Sequence, residues 1–283
     1  MLATAPDIPR TTRVRTTRAE RLRDLRAARE LLRQLVGRDL RIQHRGTVLG
    51  NLWSLITPVL TVAVYTFVFT VIMPSSPVHA GVDVPFAIYL FTGLTVWNLL
   101  QNAVLSGTGS VVGAGYLLSK VYFRREILPL TSVLSALVTF CWELGVALVA
   151  VTVFVGLPDW RVVWLPLVVV VVVLLAFGLS LILSTAAVFF RDVQHFIGIA
   201  LQIGFWGSPV IYSLALLDNR PTLHRLMEFN PMTGVLDSVR NVLLAHEDPE
   251  WALLGYGAAV GVVLVLVGLM VYRRNERLFA EMI

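Results

Sequence analysis

Charge, cysteine and lysine are all scarce in this sequence of 283 residues. Charged residues make up 14% of it, against about 25% in a soluble globular domain, too few to cover a water-facing surface. The single cysteine, Cys141, lies in an apolar run, which excludes an internal disulfide and leaves redox chemistry without a second thiol. The single lysine, Lys120, follows Ser119, so no GxxxxGK[ST] phosphate loop exists and any ATP must be bound by another chain. The five histidines, His44, His79, His195, His224 and His246, form no HExxH and no metal-ligand spacing, and none pairs with a serine at membrane depth. No apolar core precedes Leu52 among the arginines, so no cleavable signal peptide is expected.

What is present is apolar length. Hydrophobic residues account for 57% of the chain, and mean hydropathy is +0.76. Leu52 to Met73 carries no charge at all, and at about 1.5 Å per residue it makes a helix of roughly 30 Å, enough to cross a bilayer. Further uncharged or nearly uncharged runs predict an all-α polytopic membrane protein with six spans, at about 52–73, 86–105, 128–155, 162–190, 196–217 and 251–272. Residues 1–18 mix Pro, Thr and Arg without period and read as a disordered tail. Residues 19–50 repeat Leu22, Leu25, Leu32, Leu35 and Val36 at helical spacing between arginines, which predicts a basic amphipathic helix along the cytoplasmic headgroups. Residues 51–272 are the span region, and 273–283 a cytoplasmic tail.

Orientation follows from the basic residues in alternate loops. The arginine-rich head, Lys120 with Arg124 and Arg125, Arg191, and Arg273, Arg274 and Arg277 fall on one side. The other side holds a linker without Lys or Arg, Arg161, and an acidic loop from Asp218 to Glu250 with six acids against three arginines. The first set is cytoplasmic, which puts both termini inside. The net charge of +5 is accounted for by this bias rather than by nucleic acid. Within the acidic loop Met232, Val235, Leu236, Val239, Val242 and Leu243 share a face, predicting a short interfacial helix. After the second span comes a small-residue stretch, Ser106-Gly107-Thr108-Gly109-Ser110, and then Val111–Glu126, a segment too short and too charged to cross.

Two groups of side chains need an explanation. Glu143 is the one acid well inside a span; a carboxylate there is costly and is by default a functional candidate. With no cation and no second acid at its depth, a proton relay lacks parts, so a packing role with Asn98, Gln101, Asn102 or Gln202 is preferred. Trp160, Trp164 and Trp251 fit an outer interfacial belt. Tyr65, Phe69, Tyr89, Trp97, Trp142, Trp206 and Tyr212 sit deeper, where they either pack or line a path along which sugar rings slide.

Four stretches then carry a resemblance: Arg38-Asp39-Leu40 through Gly50-Asn51-Leu52-Trp53 to Pro58; Leu117 through Phe123-Arg124-Arg125-Glu126 to Pro129; Ser208-Pro209-Val210-Ile211-Tyr212; and Phe229-Asn230-Pro231 leading to Asp237-Ser238-Val239-Arg240. In this order and spacing the chain from about Leu31 to Arg277 resembles the permease subunit of ABC-2 type transporters, in the branch exporting lipid-linked polysaccharides. Arg124 stands where that family often has proline. The resemblance implies an interface helix at the N-terminus and a coupling helix over Val111–Glu126, with Tyr116, Lys120, Arg124 and Arg125 contacting the ATPase. It further implies a glycan path along Tyr65, Phe69, Tyr89, Trp97, Trp206 and Tyr212. The implied partners are two copies of a cytoplasmic ATPase that binds ATP and Mg, a second copy of this chain, a polyprenyl-linked glycan and membrane lipids. The implied location is a bacterial cytoplasmic membrane. This chain itself would bind no cofactor and make no covalent bond. An ABC-2 exporter of a small amphiphilic drug is the alternative, and an intramembrane enzyme would need paired acids or a Ser/His set that the sequence lacks.

Overall fold

A computed structural model describes residues 18–43, 52–72, 78–79, 82–116 and 123–282. Apart from one hairpin of two-residue strands, β1 (Val78–His79) and β2 (Val82–Asp83), the described residues are helices and their connections. Helix α1 covers Arg18–Gln43, and α2 covers Trp53–Phe67 and runs on through a π turn at Val68–Ile72. The next helices are α3 (Phe86–Gly113), α4 (Ile127–Phe154), α5 (Leu165–Phe189) and α6 (Val193–Trp206). Two short helices follow, α7 (Pro221–Glu228) and α8 (Pro231–Arg240), then α9 (Trp251–Asn275) and a terminal turn, α10 (Phe279–Met282).

By length and apolar composition α3, α4, α5 with its 3-10 lead from Trp160, and α9 are each able to cross a membrane. Their boundaries follow local rules. Pro129 and Pro166 occupy first turns, where no N–H is needed, and Gly156 (φ 138°) ends α4 in a backbone conformation that side chains resist. The Asp159 carboxylate accepts from the Trp160 N–H at 2.7 Å and opens the 3-10 lead. At that same end Trp164 and Trp251 meet edge to face, 5.0 Å apart.

The bundle is organised around α3, which packs against α2, α4, α5, α6 and α8, while α5 seals against α9. Gly178, Gly261 and Gly268 lie in the α5–α9 seam, small residues that let two helix backbones approach where no hydrophobic force drives them together. One core cluster fills the bundle from Phe86 to Leu254; a second ties Leu35 of α1 to Val111, Ile127, Leu181, Tyr272 and Phe279. Thus α1 is docked by an apolar face onto the ends of the spans.

Three expectations are corrected. The second span does not end near Leu105; α3 runs on through the small-residue Ser106–Ser110 stretch to Gly113. Its small residues serve close approach: a Cβ on Gly107 would lie 2.2 Å from Ser180 Oγ and 2.5 Å from Ser180 Cβ. The segment expected as a coupling helix therefore starts later than Val111: after a turn at Ala114 helix resumes at Gly115–Tyr116, residues 117–122 lie outside those described, and Arg125 and Glu126 form the turn into α4. Finally, the fifth span is shorter than Phe196–Leu217, because α6 stops at Trp206.

Overpacking the α3–α5 seam tests this arrangement. Gly107→Leu is expected to lower the stability of the detergent-solubilised chain by about 1–3 kcal/mol, read as a fall in thermal midpoint, whereas Gly113→Leu, with nothing within 4 Å of its Cβ, is expected to leave it unchanged.

Candidate functional site: the broken sixth helix and its buried arginine

Fourteen residues of α6 rise about 21 Å, short of the roughly 30 Å of a bilayer's hydrocarbon. The break is written as Gly207-Ser208-Pro209: proline offers no N–H and disfavours helix at the residue before it. Carbonyls freed by such a break have no water to turn to inside a bundle and need donors from the protein.

Each donor is present. The Ser208 hydroxyl donates to the Gly204 carbonyl at 2.8 Å. Asn230 Nδ2 donates to the Gly207 carbonyl and to Ser208 Oγ, at 2.9 and 2.8 Å, while its Oδ1 accepts from the Met232 N–H and caps α8. Arg240, at the far end of α8, donates from Nη1 and Nη2 to the carbonyls of Pro209 and Val210, at 2.5 and 2.6 Å. Its guanidinium is wholly buried and lies over the Tyr89 ring, Cζ 3.7 Å from the centroid. The Tyr89 hydroxyl in turn donates to the Tyr212 carbonyl at 2.9 Å, and the Tyr212 hydroxyl to the Trp206 carbonyl at 3.0 Å. Only a glycine fits opposite the arginine: a Cβ on Gly93 would stand 2.5 Å from Arg240 Nη2.

Sequence reading missed Arg240 as the centre of this region, although its position was informative. It falls four residues after Leu236 and three before Leu243, both wholly buried, on the apolar face of its own helix. That face, with Met232, Val235, Val239 and Val242, is not interfacial but sunk in the core of the bundle.

The proposed path aromatics separate into two groups. Tyr89 (0% exposed) and Trp97 (3%) are core residues, enclosed by protein, and this corrects their placement along a path. Trp97 meets Phe205 edge-on at 5.8 Å and donates from Nε1 to Gln101 Oε1 at 2.8 Å. Trp206 is about half exposed, and Tyr65 and Tyr212 are partly buried against the core. Phe69 lies in the π turn after α2, and its side chain is outside what is described.

Glu143 is buried on α4 and accepts from Asn98 Nδ2 of α3 at 3.3 Å, a polar clasp between two spans. Of the residues assigned to ATPase contact, Tyr116 is 73% exposed and Arg124 exposed, and Lys120 lies outside the described residues. Arg125 is instead engaged within the chain: its guanidinium donates to the Glu276 carbonyl, while its own carbonyl accepts from the Tyr272 hydroxyl at 2.8 Å. Arg273 and Glu126 pair at 2.7 Å beside it. The start of α4 is thereby fastened to the end of α9. Among the described residues no three His, Cys, Asp or Glu side chains come together as a metal site.

This fold defines a multi-pass helical membrane protein whose buried polar groups hold helices to one another. Residues 30–244 match the model of the family described as ABC-2 type transporter. The chain belongs to that family. It is 32% identical over 263 residues to the O-antigen export system permease protein RfbA of Myxococcus xanthus, covering 93% of this chain and 98% of that one. It is also 25% identical over 256 residues to a Klebsiella pneumoniae protein of the same description, covering 90% and 95%.

Removing the arginine leaves two buried carbonyls unpaired. Arg240→Met is expected to cost about 2–4 kcal/mol and to expose the Gly207–Tyr212 segment to protease added from outside; Arg240→Lys, which keeps the charge without the two-pronged donor, is expected to recover only part.

Asp237, one turn before Arg240, offers a second test. Its carboxyl is pushed up to about 6, chiefly by burial; Arg240 acts in the opposite direction, Glu250 adds to the rise and His224 opposes it. A carboxyl raised above its unfolded value makes the ionised form a penalty, full above pH 6 and gone below about pH 4. Asp237→Asn is therefore expected to stabilise the chain by about 1–2 kcal/mol at pH 7.5, with the advantage vanishing between pH 6 and pH 4 in thermal melts.

Proposed function

We propose that this chain is the membrane subunit of an ATP-driven exporter that carries a polyprenyl-linked polysaccharide from the cytoplasmic to the outer side of a bacterial cytoplasmic membrane. The observation that carries the reading is similarity along almost the full length of proteins described as O-antigen export permeases. Hydrolysis takes place on a separate ATPase, since this sequence has no phosphate loop of its own.

In this reading six spans cross the membrane, α2 to α6 and α9, and both termini are cytoplasmic, in keeping with the basic residues of alternate loops. Two copies enclose the path and two ATPase subunits act below. Tyr116, Lys120 and Arg124 contact the ATPase. Arg125 and Glu126 receive that push and pass it to both α4 and α9, because both are bonded to the end of α9. Trp206, Tyr65, Phe69 and Tyr212 offer ring faces to the sugar chain, while Tyr89 and Trp97 support the wall from behind. At the outer end α7 and α8 close the exit around the broken α6. No bond in the substrate is made or broken.

Depleting the chain in its own cell and analysing the membrane lipids tests the reading. A polyprenyl-linked glycan is expected to accumulate on the cytoplasmic face. Unchanged envelope polymers together with a raised sensitivity to amphiphilic drugs would replace it with the drug-exporter reading.

A further inference from the structure

At the cytoplasmic end, where α1 lies across α3 and α4, the bundle holds an open groove of about 480 Å³, inside the range of about 300–1,000 Å³ typical of small-ligand sites. It is the wrong chemistry for a seam between spans. Asn102, Ser106 and Ser110 of α3 face Ser132 and Ser135 of α4, and the Arg38–Asp39 pair of α1 closes one side. Hydroxyls buried among helices usually bond the carbonyl one turn back, as Thr131 does to Ile127 at 2.7 Å. Ser135 does not: its Oγ is buried and has no hydrogen-bond partner among the described residues.

The groove is also kept open. α3 presents no side chain to it at Gly109 or Gly113; a Cβ on Gly113 would meet nothing within 4 Å, and one on Gly109 only the Gln194 amide at 3.5 Å. This is the reverse of Gly107 on the same helix, where the space is already filled by Ser180.

The lining selects a ligand class. Arg38 and Asp39 neutralise each other at 3.0 Å, so the groove offers no net charge to hold an anion. What it offers is a set of hydroxyl, amide and carboxylate partners at close spacing, with Leu105 and Ile42 on the apolar side. Such a set matches a neutral, polyhydroxylated group attached to a lipid. We propose that this groove binds the membrane-proximal sugar of the transported amphiphile before translocation. The identity of that ligand rests on the export reading above; the existence of the site rests on the groove itself.

The test uses the complete exporter in its own cells, with p-benzoylphenylalanine in place of Ile42, an exposed residue on the groove's rim, and, as control, in place of Val263, an exposed position on α9. After illumination, mass spectrometry of the purified chain is expected to show adducts carrying hexose-type mass increments at position 42 and not at 263. Phospholipid adducts alone at 42, or equal adducts at both, would overturn the proposal. Gly109→Leu and Gly113→Leu fill the groove while favouring the helix, so folding is not at risk. Each is expected to lower export at least tenfold at normal membrane abundance. Export within twofold of wild type, in cells where depletion of the chain does trap glycan, overturns the groove alone. Depletion that traps no glycan overturns the export reading and this ligand together.

Discussion

The contact on which the α6–α8 end of this protein depends is that of the Arg240 guanidinium with the Pro209 and Val210 carbonyls. Burying a guanidinium is costly unless its donors are used, and leaving two carbonyls unpaired in a dry interior is costly as well. Each cost is reduced by the other group, although the Arg240 Nε has no hydrogen-bond partner among the described residues. The Tyr89 ring face adds an attraction that needs no counter-charge, which suits a site where the nearest acid, Asp237, is itself pushed toward its neutral form. The break in α6 and the helix that carries Arg240 are thus one unit. Asn230 makes the same connection from the other end of α8, capping its own helix with one amide atom and holding Gly207 with the other.

How much of this was legible in the sequence depends on what each signal measures. Hydropathy and charge measure depth, and they located the starts of α2, α3, α4, α5 and α9 to within a few residues. Depth says nothing of azimuth, so Tyr89, Trp97 and Trp206 looked alike although the first two are enclosed and the third is open. The end of α3 was less legible, because a run of glycine, serine and threonine lowers hydropathy while between membrane helices the same residues permit contact. The end of α6 was hidden because Gly207-Ser208-Pro209 sits among apolar residues, and an average over a window does not register one missing N–H. Arg240 was hidden for the opposite reason: a charge in a polar loop seems to need no explanation, yet its spacing from Leu236 and Leu243 put it on the buried face.

Many side-chain polar contacts in the described bundle stay within one helix, as Thr131 to Ile127 does, and a smaller set joins particular pairs of elements. Asn98 and Glu143 hold α3 to α4 at mid-depth; Arg161 ties the start of α5's lead to Asp248 at 3.1 Å; Arg125, Tyr272, Glu126 and Arg273 tie α4 to α9. Between these points the contacts are apolar and small-residue packing. A close-packed interior of this kind transmits displacement rather than absorbing it. A force on the Arg124–Glu126 turn therefore moves α4 and α9 together, and both flank the helices that touch α3.

Helix α3 is where the two ends of the molecule meet. Its 28 residues, about 42 Å long, carry Tyr89 beneath Arg240 near one end and Asn102, Ser106 and Ser110 along the polar groove toward the other. A sugar seated between α3, α4 and α1 would oppose their approach, since the groove's volume lies in that seam. Movement of α3 along its axis or about it also shifts the Tyr89 ring against the guanidinium, and Gly93 leaves no slack there. A ligand in the groove and the contact of Arg240 with Tyr89 would then be coupled through one rigid element rather than through a chain of rearranging side chains. That expectation follows from the placement of the groove and the Tyr89 ring on the same helix.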